Sequence, residues 1–200
     1  MKLLIIGLLL LIAYLMIRKK FNISGSSDNH SRQLQLGFQL IDAPSTIIQS
    51  TLKKTISASL TGILLILVTV LLFVKIKILL FLLLPAFFLV GYVFLFNNHF
   101  SKLKSQQIWH NPTTNDVFVE QIKGENYTFN IFQDIQAIQK IESIQTTKGL
   151  LYGYYRIKVK SHILEIPYLV AENKPANTLF FETLEQNFRI ETQKRIFPII

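Results

Sequence analysis

The run TISASLTGILLILVTVLLFV, residues 55–74, is followed by Lys75-Ile76-Lys77 and then by ILLFLLLPAFFLVGYVFLF, residues 78–96. Neither run holds a charged residue. Each is close to the roughly 20 residues that an α-helix needs to cross a bilayer. Three intervening residues leave room only for a tight turn, so the pair reads as a transmembrane hairpin. Upstream, Asp42-Ala43-Pro44-Ser45 has the form of a helix start, with Ser45 a candidate N-cap. Ile47, Ile48, Leu52, Ile56 and Leu60 then recur near helical spacing, which predicts an amphipathic helix running directly into the first long run. Lys53 and Lys54 are expected at the headgroups. Pro85 is expected to kink the second helix, and Gly62 and Gly91 could permit close helix approach.

Composition agrees with membrane residence. Of the 200 residues 50% are hydrophobic, and the mean hydropathy is +0.37. Cysteine is absent, which excludes disulfides, thiolate metal sites and a cysteine nucleophile. The net charge of +9 is uneven: residues 1–100 carry +7 and residues 101–200 only +2. A basic excess on the membrane flanks is topogenic charge and argues against nucleic acid as a partner. Leu3 to Ile17 is a third apolar run, closed by Arg18-Lys19-Lys20. Without a small-residue cleavage site it reads as an uncleaved N-terminal anchor, with a cleaved or interfacial segment as the alternative. Residues 21–44 form a polar linker, in which residues 32–41 alternate weakly through Leu34, Leu36 and Phe38 as an interfacial segment. If there are three spans, Arg18, Lys19, Lys20, Lys53, Lys54, Lys102 and Lys104 share one side of the membrane. The positive-inside rule then places the last domain in the cytoplasm.

After Ser101 the periodicity becomes that of strands. Strands are expected at Gln107–His110, Val117–Ile122 and Tyr127–Ile131, and again in Leu150–Lys160 and His162–Val170. Pro167 marks an edge or a strand end. In the fourth of these, Tyr155, Ile157 and Val159 face one way and Arg156, Lys158 and Lys160 the other. That basic ridge is the one candidate binding surface, for anionic headgroups or a protein, with a solvated sheet face as the plain alternative. Asn173 and Pro175 then open a helix whose apolar face is Ala176, Leu179, Phe180, Leu184 and Phe188. Five to seven strands followed by one helix make a small α+β unit over residues 101–200. The domain order is therefore an N-terminal anchor at 1–20, the linker at 21–44, the amphipathic helix and hairpin at 45–100, and this unit.

The stretch Tyr127-Thr128-Phe129-Asn130-Ile131-Phe132-Gln133-Asp134-Ile135-Gln136-Ala137-Ile138 resembles an element of bacterial pleckstrin-homology-like domains, where an aromatic strand leads into a D-I-x-x-I turn. Ile166-Pro167 is similar to the strand end of that family, and Phe181-Glu182-Thr183-Leu184 to its F-x-x-L helix. In the YcxB-like group a membrane hairpin directly precedes such a domain, as at residues 55–100 here. The resemblance implies a PH-like barrel closed by a C-terminal helix, held at a bacterial cytoplasmic membrane, with no shared catalytic residue set. The N-terminal run departs from that pattern.

Residue patterns for chemistry are absent from the sequence. His30, His99, His110 and His162 have no metal-ligand spacing. There is no nucleophile elbow, phosphate-binding loop or dinucleotide fingerprint. Asp134 is expected to organise the turn at Ile135. The expectation is a non-enzymatic membrane protein without metal or cofactor, whose partners are the bilayer and a protein or anionic lipid. An accessory subunit of a membrane transporter or envelope enzyme is the alternative.

Overall fold

The computed structural model describes residues 36–72, 77–144, 152–170 and 175–200. The chain divides into units at Met1–Arg32 and Gln33–Ile200, and the second holds every described residue. The N-terminal run with Arg18, Lys19 and Lys20 lies outside the described residues.

The chain first enters a short strand, β1 (Gln39–Ile41), where the sequence suggests an interfacial segment. Three residues are too few to carry a strand signal of their own, and the pairing with a distant partner makes it one. Helix α1 (Ser45–Leu72) follows without a break through the amphipathic and apolar stretches. Its start is fixed by Ile47 and Ile48, whose N–H groups donate to Pro44 O. A 3-10 turn at Lys77–Leu82 passes into α2 (Leu83–Ser105). Pro85 therefore sits in the first turn of an α-helix, where a missing N–H costs no hydrogen bond, and not in the middle of a kinked span. Ser45–Leu72 and Lys77–Ser105 are both long and apolar enough to cross a membrane.

The buried stripe of α1 is Ile48, Thr51, Thr55, Ser59, Gly62 and Thr69. Past Ile48 it consists of small and hydroxylated residues, and Gly62 lies against Ala86 and Leu89 of α2. The large apolar side chains turn outward: Leu60, Leu64, Leu71, Ile78, Phe81, Leu84, Phe87 and Phe94 are exposed. Such an inversion suits helices surrounded by lipid, where close backbone approach drives packing and apolar side chains can face the solvent. Toward Ser45 the exposed side of α1 changes to Gln49, Ser50, Lys53, Lys54 and Ser57.

Helix α2 leads directly into β2 (Gln106–Asn111), its C-cap Gln106 already extended. Strands β3 (Asp116–Gln121) and β4 (Tyr127–Asn130) complete an antiparallel sheet in the order β1-β2-β3-β4. Asn115, at φ 60, turns the chain between β2 and β3, and Asn111 Oδ1 accepts from the N–H groups of Thr113 and Thr114. A single helical turn, α3 (Ile131–Asp134), leads into β5 (Ile135–Ser143). Next come β6 (Gly153–Val159), β7 (Ile163–Pro167), helix α4 (Pro175–Asn187) and β8 (Ile190–Arg195). The second sheet runs β7-β6-β5-β8, with β8 parallel to β5. Pro167 is both a strand end and on an edge strand, as Pro requires. β8 lies beyond the helix that the sequence reading takes as the last element. Apart from Ile190 its residues are polar and mostly exposed, so no apolar alternation announces it.

The two sheets share one core. Val117, Val119 and Phe129 meet Ile138, Tyr155, Ile157, Leu164 and Ile166, and α4 adds Phe180, Phe181 and Leu184. In α4 the buried face is Asn177, Phe180, Phe181 and Leu184, while Leu179 is exposed. Asn177 takes its place there because its side chain accepts from Asp42 N and donates to Asp42 O, tying α4 to the chain between β1 and α1.

Candidate functional site

The start of β6 and the residue before it lie against the two long helices. Tyr152 stacks on Tyr92 at 5.7 Å, and its hydroxyl is hydrogen-bonded to Thr55 Oγ1. Burial raises the ionisation of Tyr152 well above the ordinary tyrosine range, so it is a neutral donor. One strand step on, Tyr154 meets the His99 ring at 6.2 Å. Gly153 sits between them because a Cβ there would lie 2.7 Å from Ile141 O and 2.7 Å from the Tyr168 ring. The α+β unit is thus packed onto the helices, not hung from them.

Farther along β6 comes the basic ridge. Tyr155, Ile157 and Val159 are buried and Lys158 and Lys160 exposed, as the alternation predicts. Arg156 donates to Glu165 Oε1 from Nε at 3.1 Å and from a terminal nitrogen at 3.0 Å. Lys102 Nζ stands 3.7 Å from Glu165 Oε2. Lys160 lies past the end of β6 and donates to Asp134 Oδ1 at 2.8 Å. This pairing, with the Asn130 N–H as a second donor, holds the Asp134 carboxyl below the usual carboxylate range. Asp134 thereby fixes the α3 turn, and Asn130 Oδ1 accepts from Phe132 N in return. Lys158 is exposed and carries no ion pair among the described residues. The ridge follows α2 away from its apolar band: Tyr152 at Tyr92, Tyr154 at His99, Arg156 beside the Glu165–Lys102 pair.

Of the flank cations, Lys53 and Lys54 are exposed on α1, and Lys104 lies over the Phe100 ring at 4.7 Å. Glu165 is the functional-site residue that the sequence reading omits. Its signal was present: a turn at Lys160-Ser161-His162 sets the β6–β7 register and puts Arg156 opposite Glu165. Elsewhere, His110 on β2 is buried with its ring edge against Phe180 at 5.3 Å, and burial lowers its pKa to about 4. It is a neutral core residue at physiological pH. Among the described residues no group of three or more His, Asp or Glu could hold a metal ion.

These features define a class: two helices long and apolar enough to cross a membrane, joined without a linker to a small α+β unit. No family model, no curated protein and no solved structure matches the chain.

Proposed function

We propose that this chain is a non-enzymatic integral membrane protein whose hairpin holds a PH-like binding domain at the cytoplasmic face of a bacterial inner membrane. The ligand of that domain is a protein partner, with anionic headgroups contributing through the cations at the end of α2. The observation that carries the reading is the direct passage of α2 into β2, reinforced by the Tyr152 and Tyr154 contacts. A domain seated in this way is presented at a fixed height above the bilayer. The PH-like assignment is supported by seven strands in two sheets around one core before α4. Orientation is supported by Lys53, Lys54, Lys102 and Lys104 at the domain end, against Lys75 and Lys77 in the sequence between the two apolar runs. Internal pairing of Arg156 and Lys160 favours the protein partner over headgroup binding by the ridge.

Because the chain has no cysteine, orientation can be read by labelling single cysteines with a membrane-impermeant maleimide. Lys158→Cys is expected to stay unlabelled in cells with a permeabilised outer envelope and to react in inverted vesicles. Lys77→Cys should do the reverse. The opposite pattern would overturn the cytoplasmic placement. The headgroup contribution has its own test. Glu165→Gln frees Arg156 and Lys102, and a cation near an anionic surface contributes about 1 kcal/mol. Retention of anionic lipid by the purified full chain should therefore rise about fivefold for each freed cation that reaches the headgroups. Unchanged retention would leave the protein partner alone.

A second reading, an accessory subunit of a transporter or envelope enzyme, is favoured by β8. Its outer edge is unpaired among the described strands and its side chains are exposed, which suits addition of a strand from another chain. Stable co-purification with a larger polytopic protein distinguishes it.

A further inference from the structure

The residues after β8 carry an apolar surface that the domain does not use. Ile196 and Ile199 are 59% and 58% exposed, and Ile144 is 55% exposed. Ile144 N donates to Arg195 O, which brings Ile144 next to the start of the segment. The segment does not trail into solvent. Phe197 packs on Phe88 of α2 at 5.0 Å between ring centroids. Gly91 makes room for it, since a Cβ there would stand 3.2 Å from the Phe197 ring.

Depth follows from helix geometry. On a rise of 1.5 Å per residue, Gly91 lies roughly 20 Å from the Ser105 end of α2. Phe197 therefore reaches well past Lys102 and Lys104, into the stretch of α2 where Phe87 and Phe94 are exposed. Part of the segment's backbone is satisfied by α2, nearer its Ser105 end. Asn98 Nδ2 donates to Ile200 O at 3.1 Å, and Ile200 N donates to Asn98 Oδ1 at 2.9 Å. His99 Nε2 lies 2.7 Å from Pro198 O; a carbonyl can only accept, so the ring donates from Nε2. Irregular backbone is tolerated at membrane depth only where protein groups satisfy it. Asn98 and His99, the polar residues that close the apolar run of α2, supply those groups. Lys194 and Arg195 stand immediately before the apolar residues, as cations do where a segment enters a bilayer.

We propose that Ile196–Ile200 is a lipid-immersed wedge, a contact with the bilayer hydrocarbon laid along α2 in addition to the hairpin itself. Its occupant is acyl chain, because its exposed face continues the exposed apolar band of α2. The inference rests on the reading that the hairpin lies in the bilayer, and the test separates the two.

Single cysteines at Ile196, Ile199, Phe81 and Lys158 are spin-labelled in the full chain, reconstituted in phosphatidylcholine–phosphatidylglycerol vesicles. Collision rates with oxygen, which partitions into hydrocarbon, are compared with those of an aqueous nickel chelate. Ile196 and Ile199 are exposed, so the replacements leave packing intact. The expected result is oxygen above nickel at Ile196, Ile199 and Phe81, and the reverse order at Lys158. Nickel above oxygen at Ile196 and Ile199, with Phe81 in hydrocarbon, overturns the wedge and leaves the anchor standing. Low rates with both reagents at Ile196 and Ile199 also overturn it, by showing protein cover. An aqueous result at Phe81 itself overturns the membrane reading and the wedge together.

Discussion

Gly62→Val should drive α1 and α2 apart, with a cost of about 1–3 kcal/mol for overpacking, at the upper end here. A Cβ at Gly62 would stand 2.7 Å from Ala86 O and 2.9 Å from Leu89 Cβ. The first of these neighbours is backbone in a helix, which cannot rotate away as a side-chain tip can. Valine adds two methyl groups to that already forbidden atom. Relief is possible only by separating the helices. Thermal unfolding of the purified protein in detergent measures this directly. Leu64→Val, at a position on the outer face, is the control and should leave the midpoint nearly unchanged. Equal midpoints for the two variants would mean that the helices do not pack through Gly62.

Phe180→Ala is expected to cost more, about 3–5 kcal/mol, because it removes a fully enclosed aromatic ring. Phe180 is 0% exposed, with its ring edge-on to Phe181 at 5.3 Å. It stands where α4 meets both sheets, so no single layer can collapse to fill the space. His110 faces the same ring, and its Nε2 has no hydrogen-bond partner among the described residues. A cavity there would admit water to a group kept neutral by burial, let its pKa rise back toward the unfolded value, and so reduce the acid sensitivity that buried His110 gives the intact protein. Leu179→Ala, one residue earlier but exposed, should shift stability by less than about 0.5 kcal/mol. Denaturant unfolding of the two variants side by side decides whether α4 is a plug in the core or a helix lying over it.

Leu179 and Phe181 also mark where sequence pattern stops being informative. The apolar run Leu179-Phe180-Phe181 can be laid on a helix in two neighbouring phases, and the phase is set by Asn177, a polar residue that no hydrophobic pattern would bury. Its partner is the backbone of Asp42, distant in sequence and invisible without the fold. β1 and β8 were illegible for related reasons. One is three residues long and held by cross-strand pairs with β2; the other is polar along most of its length and held by β5. The long helices, β6 and the start of α4 at Pro175 were legible because their cause is local: apolar length, strict alternation, a proline at a first turn. In the candidate site, the direction of Arg156 could be read from alternation, but its neutralisation by Glu165 depends on strand register.

β1 precedes the hairpin and β2 follows it, yet Gln39 pairs with His110 and Ile41 with Ile108. The chain therefore leaves the sheet at Asp42 and re-enters it at Gln106, two points separated by about one strand spacing, roughly 5 Å. Topologically everything from residue 42 to residue 105 is the loop of a β-hairpin, grown until it can reach through a membrane. Excising that loop and joining β1 to β2 by a short turn would leave the strand order of both sheets unbroken. Cutting the chain at Ser101 instead would remove an outer strand. A chain without the two long helices is thus reached by shortening a turn, and not by trimming an end.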